Sequence, residues 1–375
     1  MAGKEVKFLY LSQEDMVEAG VLDMDKCVDT IDNMFQILGT GDYLMGGPGG
    51  NEHGIRVYFP KEPKGPHMPV AGPDRRFMAL VGYLGGKVNV CGEKWYGSNI
   101  ANYERNLPRS ILMVVLNNPE TAEPLAIMDG TLISAMRTGS VPGVGAKYLA
   151  RKDSEVIGVI GAGVISRACL MSIACALKNI KDVKVFDLVG KKSEDFSAYM
   201  RQKLGLNVHP VDSLEEAIKN SDVISLATAG TNPPFIKTEW LKEGCYIALS
   251  GSKTDFSEDF YLTVRKVADN WQMHTAWRQE VNELGSEIRD LAGTIPHMDI
   301  HDLISAGKLK ADDIDNLGPI ASGEKPGRIN DEEKIILLTG GMSIEDIAWG
   351  YEIYQTAKKK GIGQELTLWK EPHWL

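Results

Sequence analysis

The spacing of apolar residues predicts mixed secondary structure in the first part of the chain. Residues 10–40 carry apolar side chains at helical spacing behind Ser12, a residue type that caps helix N-termini, so a helical segment is predicted there. Residues 41–75 are rich in glycine and proline and predict a long irregular loop. Four segments have the β-branched and aromatic content of strands: 54–59, 77–83, 88–95 and 111–116. A helix is predicted over 131–150.

From Val156 the pattern changes to short apolar runs that alternate with amphipathic helical segments. Strands separated by helices of this length imply right-handed crossovers and a parallel sheet, whose strands are almost wholly apolar when both faces are buried. The predicted fold class is therefore α/β, with a Rossmann-type parallel-sheet domain over 139–321. Residues 1–138 together with 322–375 are predicted to form a second, α+β domain for substrate binding and dimerisation.

Composition narrows the class of protein. The 375 residues are 43% hydrophobic and 25% charged, which is ordinary for globular domains. The net charge of −10 gives no support to nucleic-acid binding. The sequence contains no run of 18 apolar residues, so no membrane-spanning helix is expected. The first residues lack the apolar region of a signal peptide. The five cysteines are too scattered for a disulfide framework. A cytoplasmic protein without a metal site is expected.

A glycine-rich turn lies directly after the first of these apolar runs. Gly161 would provide the tight bend and Gly163 the close backbone approach that a dinucleotide pyrophosphate needs. Val164 and Ile165 open the following helix, whose N-terminus offers unpaired N–H groups to the phosphates. Ser166 replaces the third glycine of the usual pattern, which loosens the match.

An acidic residue strengthens the dinucleotide prediction. Asp187 ends the next predicted strand, where a carboxylate accepts hydrogen bonds from the adenosine ribose hydroxyls. Such a carboxylate repels a 2′-phosphate, so NAD is favoured over NADP, although Lys191 or Lys192 could reach a phosphate instead and NADP stays possible. Further cofactor-binding candidates lie at the carboxyl ends of later strands, where ligands collect in such sheets: Thr228, Ala229 and Ser250.

Several motifs around this turn resemble the ornithine cyclodeaminase/μ-crystallin family in order and spacing. The matching pieces are GEKWYGSN (92–99), LP (107–108), PLAIMDG (124–130), SAMRTG (134–139), AKYLA (146–150), GRI (327–329) and ED (345–346). The family contains cyclodeaminases, amino-acid dehydrogenases, ketimine reductases and opine-type dehydrogenases. The resemblance therefore implies an enzyme of amino-acid or imine chemistry, and a homodimer.

The resemblance also implies roles for individual residues. Lys94 matches the active-site lysine that binds the substrate carboxylate and polarises the reacting centre, and Arg56 falls where an early arginine grips the same carboxylate. Arg137, followed by Thr138, matches the arginine that contacts the dinucleotide phosphates, and Thr339 lies where a late hydroxyl residue approaches the nicotinamide. Independently of the family, a carboxylate favours a bidentate guanidinium, and a lysine beside other cations has a lowered pKa.

Two positions depart from the family pattern. Lys253 stands where cyclodeaminases carry a catalytic aspartate, and Asp255, two residues on, is the candidate that would replace it. Arg109 follows LP where many members have a small hydroxyl residue, which suggests either a more anionic substrate or a surface contact. Both departures disfavour ornithine cyclodeamination, because that reaction holds a cationic side chain near an acid.

The leading hypothesis is an NAD(P)-dependent oxidoreductase that moves a hydride at the C–N centre of an amino acid, an imine or an opine-like N-substituted amino acid. One alternative is a cyclodeaminase that uses NAD catalytically to convert L-ornithine into L-proline. Another is a non-catalytic, μ-crystallin-like protein that binds a small ligand. The histidines indicate no rival catalytic centre. His297 and His301 have the i, i+4 spacing of a helical metal site, but without an accompanying acidic motif they predict none.

Overall fold

The structure, a computed structural model, describes residues 4–72, 74–228, 233–250, 254–257, 259–283 and 297–373. The strands in these segments are β1 Val6–Leu11, β2 Tyr43–Met45, β3 Ile55–Tyr58, β4 Arg76–Leu84, β5 Val90–Ser98, β6 Ser110–Asn117, β7 Pro124–Asp129, β8 Val156–Ile160, β9 Asp182–Phe186, β10 Asn207–Pro210, β11 Val223–Leu226, β12 Phe235–Ile236, β13 Tyr246–Leu249, β14 Asp255–Phe256, β15 Arg265–Ala268, β16 Ile314–Asn316, β17 Ile335–Leu338 and β18 Gln364–Trp369. The α-helices are α1 Gln13–Ala19, α2 Met24–Thr40, α3 Thr131–Leu149, α4 Val164–Ala176, α5 Gly190–Leu204, α6 Leu214–Ile218, α7 Phe260–Thr263, α8 Trp271–Glu283, α9 Met298–Ser305, α10 Leu317–Ala321 and α11 Ser343–Lys360.

The first sheet is built from both ends of the chain. Its order is β18-β1-β7-β6-β5-β4-β2, with β3 paired to β4, and all its pairs are antiparallel except β1 with β7. Helix α11 packs across β4, β5 and β6 on the inner face, which buries Leu80, Lys94 and Val114. The opposite face has no cover in the part of the chain that is described, and leaves Phe77 and Trp95 partly exposed.

The second sheet confirms the predicted parallel, Rossmann-type architecture. Its order is β10-β9-β8-β11-β13-β17-β15-β16, and every pair in it is parallel. Strands β11, β13 and β17 are buried along their whole length, as expected for a sheet covered on both faces. Because β17 lies between β13 and β15, the sheet reaches Leu338, whereas the sequence predicts its end at 321. The continuous apolar stretch of β17 is the sequence feature that indicates the longer sheet.

Other elements of the first sheet differ from prediction. Residues 10–40 form two helices rather than one, because Gly20 adopts φ 99° and ends α1, which Ser12 does cap as predicted. Strands β1, β2 and β7 are not predicted by the sequence, and β2 lies in the segment expected to be a loop, whereas β3 matches the strand predicted over 54–59. No described helix is long and apolar enough to cross a membrane.

A close helix crossing joins the two sheets and positions the site between them. Helix α3 packs against α4, and a side chain at Gly139 would collide with Ala168, while one at Gly143 would collide with Ser172. Small residues at these crossing points therefore let the two backbones approach. The crossing brings Arg137 of α3 close to the start of α4, where the glycine turn ends.

Candidate active site

The glycine turn has the form that a pyrophosphate site requires. Gly161 has φ 91°, and a Cβ there would lie 2.6 Å from the carbonyl oxygen of Ala227, so only glycine fits. Gly163 is the N-cap of α4, makes no side-chain capping bond, and faces open space, since a Cβ added to it would meet nothing within 4 Å. The first turn of α4, with Val164 and Ile165, thus presents uncapped backbone N–H groups to an open volume, which fits a dinucleotide phosphate.

Asp187 lies beside this turn. Its Oδ2 accepts a hydrogen bond from the Ala162 N–H at 2.9 Å, and its Oδ1 accepts one from the Val189 N–H at 2.9 Å. The carboxylate therefore occupies the end of β9 next to the glycine turn. Lys191, which the sequence offered as a rival phosphate ligand, instead pairs with Asp195 at 2.8 Å on the exposed side of α5.

A cavity of about 250 Å³ lies between the first turn of α4, at Ile165, and the first turn of α11, at Glu345. Five residues predicted to bind the cofactor line it: Arg137, Thr138, Ile165, Ser250 and Thr339. Ser250 and Thr339 directly follow β13 and β17, so the cavity opens at the carboxyl ends of the parallel strands, as predicted. Thr228 follows β11. Ala229 lies outside the described residues.

A cluster of buried charged side chains lies beside the cavity, and two of its members, Arg137 and Glu345, line it. The Lys94 Nζ donates to Asp346 Oδ2 at 2.7 Å and to the Ser134 hydroxyl at 3.4 Å. Arg137 donates through Nε to Asp346 Oδ1 at 3.0 Å and through Nη1 to Glu345 Oε2 at 2.6 Å. One carboxylate thus bridges the lysine and the arginine, and all four charged side chains are almost completely buried.

Burial shifts the proton affinities of two groups in this cluster. Burial, helped by the neighbouring Arg137 charge, lowers the pKa of Lys94 to about 8 even though Asp346 opposes the shift. Burial raises the pKa of Glu345 to about 7 against the attraction of Arg137. Both groups therefore exchange protons near neutral pH, which is the range in which an acid or base is useful to an enzyme.

Arg56 offers an unpaired donor to the same region. Its side chain is only 3% exposed, and its Nη1 donates to Glu280 Oε2 at 2.6 Å. The guanidinium lies 4.7 Å from the ring centroid of Trp277. Its Nη2 is buried and no described residue accepts from it. A buried guanidinium nitrogen without a partner is a natural place for a ligand carboxylate.

His53 belongs to the site although the sequence indicated no catalytic histidine. Its ring stacks on Trp277 with 4.1 Å between centroids, and its Nδ1 lies 2.9 Å from the Gly341 carbonyl oxygen. Burial together with the charges of Arg56, Lys94 and Arg137 keeps the pKa of His53 well below its ordinary value. The neutral ring therefore donates from Nδ1, and its Nε2 carries a lone pair.

A buried carboxylate fixes the turn at Gly340 and Gly341, which lines the cavity beside Arg137. Asp269 Oδ2 accepts from the N–H groups of Gly340 at 2.7 Å and Gly341 at 3.1 Å, and its Oδ1 pairs with His274 Nε2 at 2.8 Å. Gly341 in turn passes so close to Arg137 that a side chain there would collide with the guanidinium. Asp269 therefore orients Arg137 and His53 through the backbone rather than through direct contact.

The structure gives two further predicted residues, Arg109 and Asp255, contacts in other parts of the chain. Arg109 pairs with Asp74 beside the start of β6, and the strand register puts it five residues from Val114, the residue level with Lys94, or about 17 Å along the strand. Asp255 pairs in β14 with Phe235 and adds to the field around Tyr261, whereas the partners of Lys94 that the structure describes are Ser134 and Asp346. Lys253 lies outside the described residues.

A sequence model of the ornithine cyclodeaminase/mu-crystallin family matches residues 21–361. The chain belongs to this family. It is 29% identical over 365 residues to the N-((2S)-2-amino-2-carboxyethyl)-L-glutamate dehydrogenase of Staphylococcus aureus, covering 97% of this chain and 99% of that protein.

Two solved structures resemble this family member closely. One is the Thermococcus litoralis Δ1-pyrroline-2-carboxylate reductase in complex with NADH and L-proline, with a TM-score of 0.78 and 26% identity over 95% of this chain and 99% of that one. The other is an archaeal alanine dehydrogenase dimer with bound NAD, with a TM-score of 0.78 and 26% identity over 97% of this chain and 100% of that one.

The structure gives one family motif a role that the resemblance left open. Glu345 and Asp346 matched the family pattern without an assignment, and both turn out to be buried partners of Arg137 and Lys94. Trp277 had no signal in the sequence at all. No group of three or more potential metal ligands comes together among the residues that the structure describes, and His297 and His301 lie beside His274 and Trp271 instead.

Proposed function

We propose that this family member is an NAD(H)-dependent oxidoreductase that moves a hydride at the C–N centre of an α-carboxylated amine or imine. The observation that carries the proposal is the unpaired, buried Nη2 of Arg56, whose guanidinium lies over Trp277, a residue that lines the cavity together with Arg137 and Glu345. The relatives described above are dehydrogenases and reductases of amino acids, imines or N-substituted amino acids, and two of them hold NAD or NADH.

A buried donor without a partner supports binding of one carboxylate. The cations Arg56, Lys94 and Arg137 each pair with a carboxylate, and among them Arg56 has a buried nitrogen, Nη2, that no described residue accepts from. The substrate carboxylate takes that donor and a second bond from the Lys94 ammonium. A charge-assisted pair of this kind fixes the orientation of the α-carbon as well as its position.

Lys94 also handles the proton at nitrogen. An ammonium must lose a proton before its nitrogen can form a double bond to carbon, and a lysine with a pKa of about 8 is partly neutral at physiological pH. In the reductive direction the same group returns the proton. The bound dinucleotide supplies the hydride acceptor or donor. Neutral His53 accepts a hydrogen bond from the substrate nitrogen through Nε2 and thereby orients it.

We further propose that NAD(H) binds more tightly than NADP(H). Asp187 stands at the end of β9 with its carboxylate against the glycine turn, where it accepts from ribose hydroxyls and repels a 2′-phosphate. Lys191 pairs with Asp195 on the exposed side of α5, and this ion pair competes with any contact between the lysine and such a phosphate.

A homodimer is the proposed assembly. The outer face of the first sheet exposes a continuous group of apolar side chains, which on soluble proteins marks an interaction surface. These residues are Leu44, Ile55, Val57, Phe77, Val81, Trp95, Ile111 and Met113. The archaeal alanine dehydrogenase of similar fold is a dimer. Sedimentation of Ile111→Lys, with Leu22→Lys as a control at another exposed apolar position, tests whether this face holds the two copies together.

We place the protein in the cytoplasm. The five cysteines are all unpaired thiols, and three of them, Cys27, Cys169 and Cys245, are buried at separate places in the core. Free thiols of this kind are typical of a reducing compartment.

The decisive experiment follows two products separately. The purified protein is incubated with NAD and a panel of amino acids and N-substituted amino acids, while NADH absorbance and ammonia are measured in parallel. Net accumulation of NADH with one class of substrate supports the proposal. Conversion of L-ornithine to proline and ammonia without net NADH would identify a cyclodeaminase instead, and ligand binding without turnover would identify a binding protein.

A further inference from the structure

A second row of polar side chains continues from the Arg56 position along the inner face of the first sheet. Directly opposed residues of neighbouring strands share a face. Arg56 opposes Met78, and two residues further along, Tyr58 opposes Arg76, which in turn opposes Ser98. Tyr58 and Arg76 therefore lie on the same face as Arg56, displaced by one pleat repeat, or about 6.8 Å.

Arg76 carries a donor that the protein does not use. Its side chain is three-quarters buried, its Nη1 donates to Asp74 Oδ1 at 3.0 Å, and its guanidinium lies 5.9 Å from the ring centroid of Tyr96. Its Nε is buried, and no described residue accepts a hydrogen bond from it. Leaving a buried donor unpaired is costly, so the atom is expected to have a partner in the working protein.

The local charge around Arg76 is positive. The Asp74 carboxylate is shared between Arg76 and Arg109, which donates to its other oxygen. Two guanidinium groups therefore face one carboxylate. The arrangement attracts a second anion, and the free Nε of Arg76 gives that anion a bonding direction.

Tyr58 connects this group with the proposed substrate site. Tyr58 directly opposes Arg76 and lies two residues from Arg56 on the same face of β3, so its side chain neighbours both arginines. Burial raises the pKa of its phenol, which is therefore neutral. The neutral hydroxyl is suited to hydrogen-bond a ligand that spans the two arginines.

We propose that Arg76 and Tyr58 form a second anion subsite, which binds a distal carboxylate of the substrate. The enzyme then prefers an amine or imine that carries two carboxylates a short aliphatic chain apart, one at Arg56 and Lys94 and the other at Arg76. This inference rests on the proposed function, since that function assigns the first carboxylate to Arg56. Arg76 is accordingly a specificity-determining residue and takes no part in the proton or hydride transfer.

A matched pair of keto acids tests the subsite directly. The probes are 2-oxoglutarate and 2-oxopentanoate, which differ only in the distal carboxylate, and each is titrated by calorimetry into the protein saturated with NADH. The wild type is expected to bind 2-oxoglutarate at least about ten-fold more tightly, as one charge-assisted hydrogen bond typically provides. Arg76→Met should remove that preference while leaving the affinities for 2-oxopentanoate and NADH unchanged.

Two further variants separate recognition from folding. Arg75→Met is the control, because Arg75 is the adjacent arginine but donates to the Val70 carbonyl oxygen at 2.8 Å on the exposed loop. Tyr58→Phe removes one hydroxyl and is expected to lower the preference for 2-oxoglutarate a few-fold, even if Arg76→Met does not fold. Arg75→Met should keep the wild-type preference.

The outcomes distinguish the subsite from the function on which it rests. Equal affinity of the wild type for both keto acids, or equal weakening of both by Arg76→Met, would overturn the subsite and leave the oxidoreductase standing. Failure of either keto acid to bind, together with the absence of any NADH formation from amines, would overturn both. Loss of discrimination in Tyr58→Phe and Arg76→Met but not in Arg75→Met would support the subsite.

Discussion

The cofactor half and the substrate half of the candidate site differ in the chemical groups that form them. The cofactor half consists of backbone: a glycine at positive φ, a second glycine facing open space, and uncapped N–H groups at the start of α4. The substrate half consists of buried charges whose partners are far apart in sequence, such as Lys94 with Asp346. A backbone site leaves a local signature in the sequence, whereas a charge cluster exists only once the chain has folded.

The largest expected effect concerns the substrate half alone. Replacing Lys94 with alanine should lower turnover by about 10²- to 10⁴-fold, the usual contribution of a positioned acid or base, because the variant loses the group that we propose binds the carboxylate and exchanges the proton. NADH affinity, measured by tryptophan fluorescence, should stay within a few-fold. Lys87→Ala, at an exposed turn of the same sheet, is the matched control. Near-normal rates in Lys94→Ala would remove the lysine from the mechanism.

The next effect is on stability and again belongs to the charge cluster. Asp346→Asn leaves Lys94 and Arg137 buried with weaker compensation, so the free energy of unfolding in urea should fall by about 3–5 kcal/mol. Glu352 lies on the same helix, α11, but its ion pair with Lys26 is exposed, so Glu352→Gln should cost less than about 1 kcal/mol. Equal losses in the two variants would show that the bridging carboxylate contributes little.

The contrast between a backbone site and a cluster of charged side chains also explains which features could be predicted from the sequence. The parallel sheet was predictable because its strands are apolar runs separated by helices, and the glycine turn with Asp187 was predictable because its parts are close in the chain. His53 lies just before the four-residue strand β3 and Arg56 lies within it, and nothing in this glycine- and proline-rich segment indicated that both residues contact Trp277 of α8. That Glu345 and Asp346 are partners of Arg137 and Lys94 could not be deduced from spacing at all.

The departures from the family pattern show the same limit. Arg109 was a candidate substrate ligand because a positive charge in a family motif suggests an anionic substrate. The structure pairs it with Asp74, on the side of the sheet where Arg76 keeps a free donor. Arg109 therefore indicated this region of the sheet, although the unpaired donor there belongs to Arg76.

A pair of glycine variants tests the cofactor half. Gly163→Ala has an ordinary backbone conformation and no neighbour to collide with, so the unfolding free energy should change by less than about 0.5 kcal/mol. NADH affinity should nevertheless fall at least about ten-fold, because the new methyl group occupies the space where the phosphates bind. Gly161→Ala should instead destabilise the fold by about 1–2 kcal/mol or more through its positive φ and the Ala227 carbonyl. Unchanged NADH affinity in Gly163→Ala would place the cofactor elsewhere.

The smallest effect is the slope of the unfolding free energy against pH. Two groups of the charge cluster, Glu345 and Lys94, contribute to this slope with opposite signs. The pKa of Glu345 is raised from 4.5 to about 7, so between these values the folded protein binds more protons than the unfolded chain, and the unfolding free energy falls as pH rises. The pKa of Lys94 is lowered from 10.5 to about 8, so between those values the unfolded chain binds more protons, and the unfolding free energy rises with pH. One group contributes at most about 1.4 kcal/mol per pH unit to such a slope.

Urea unfolding at closely spaced pH values, repeated on Glu345→Gln and Lys94→Met, isolates each contribution. Glu345→Gln should flatten the fall between pH 4.5 and 7, and Lys94→Met should remove the rise above pH 8. Other groups titrate in both windows, which is why the difference between variant and wild type is the quantity that matters. Parallel curves for wild type and Glu345→Gln would mean that this carboxyl titrates in the folded protein as it does in the unfolded chain.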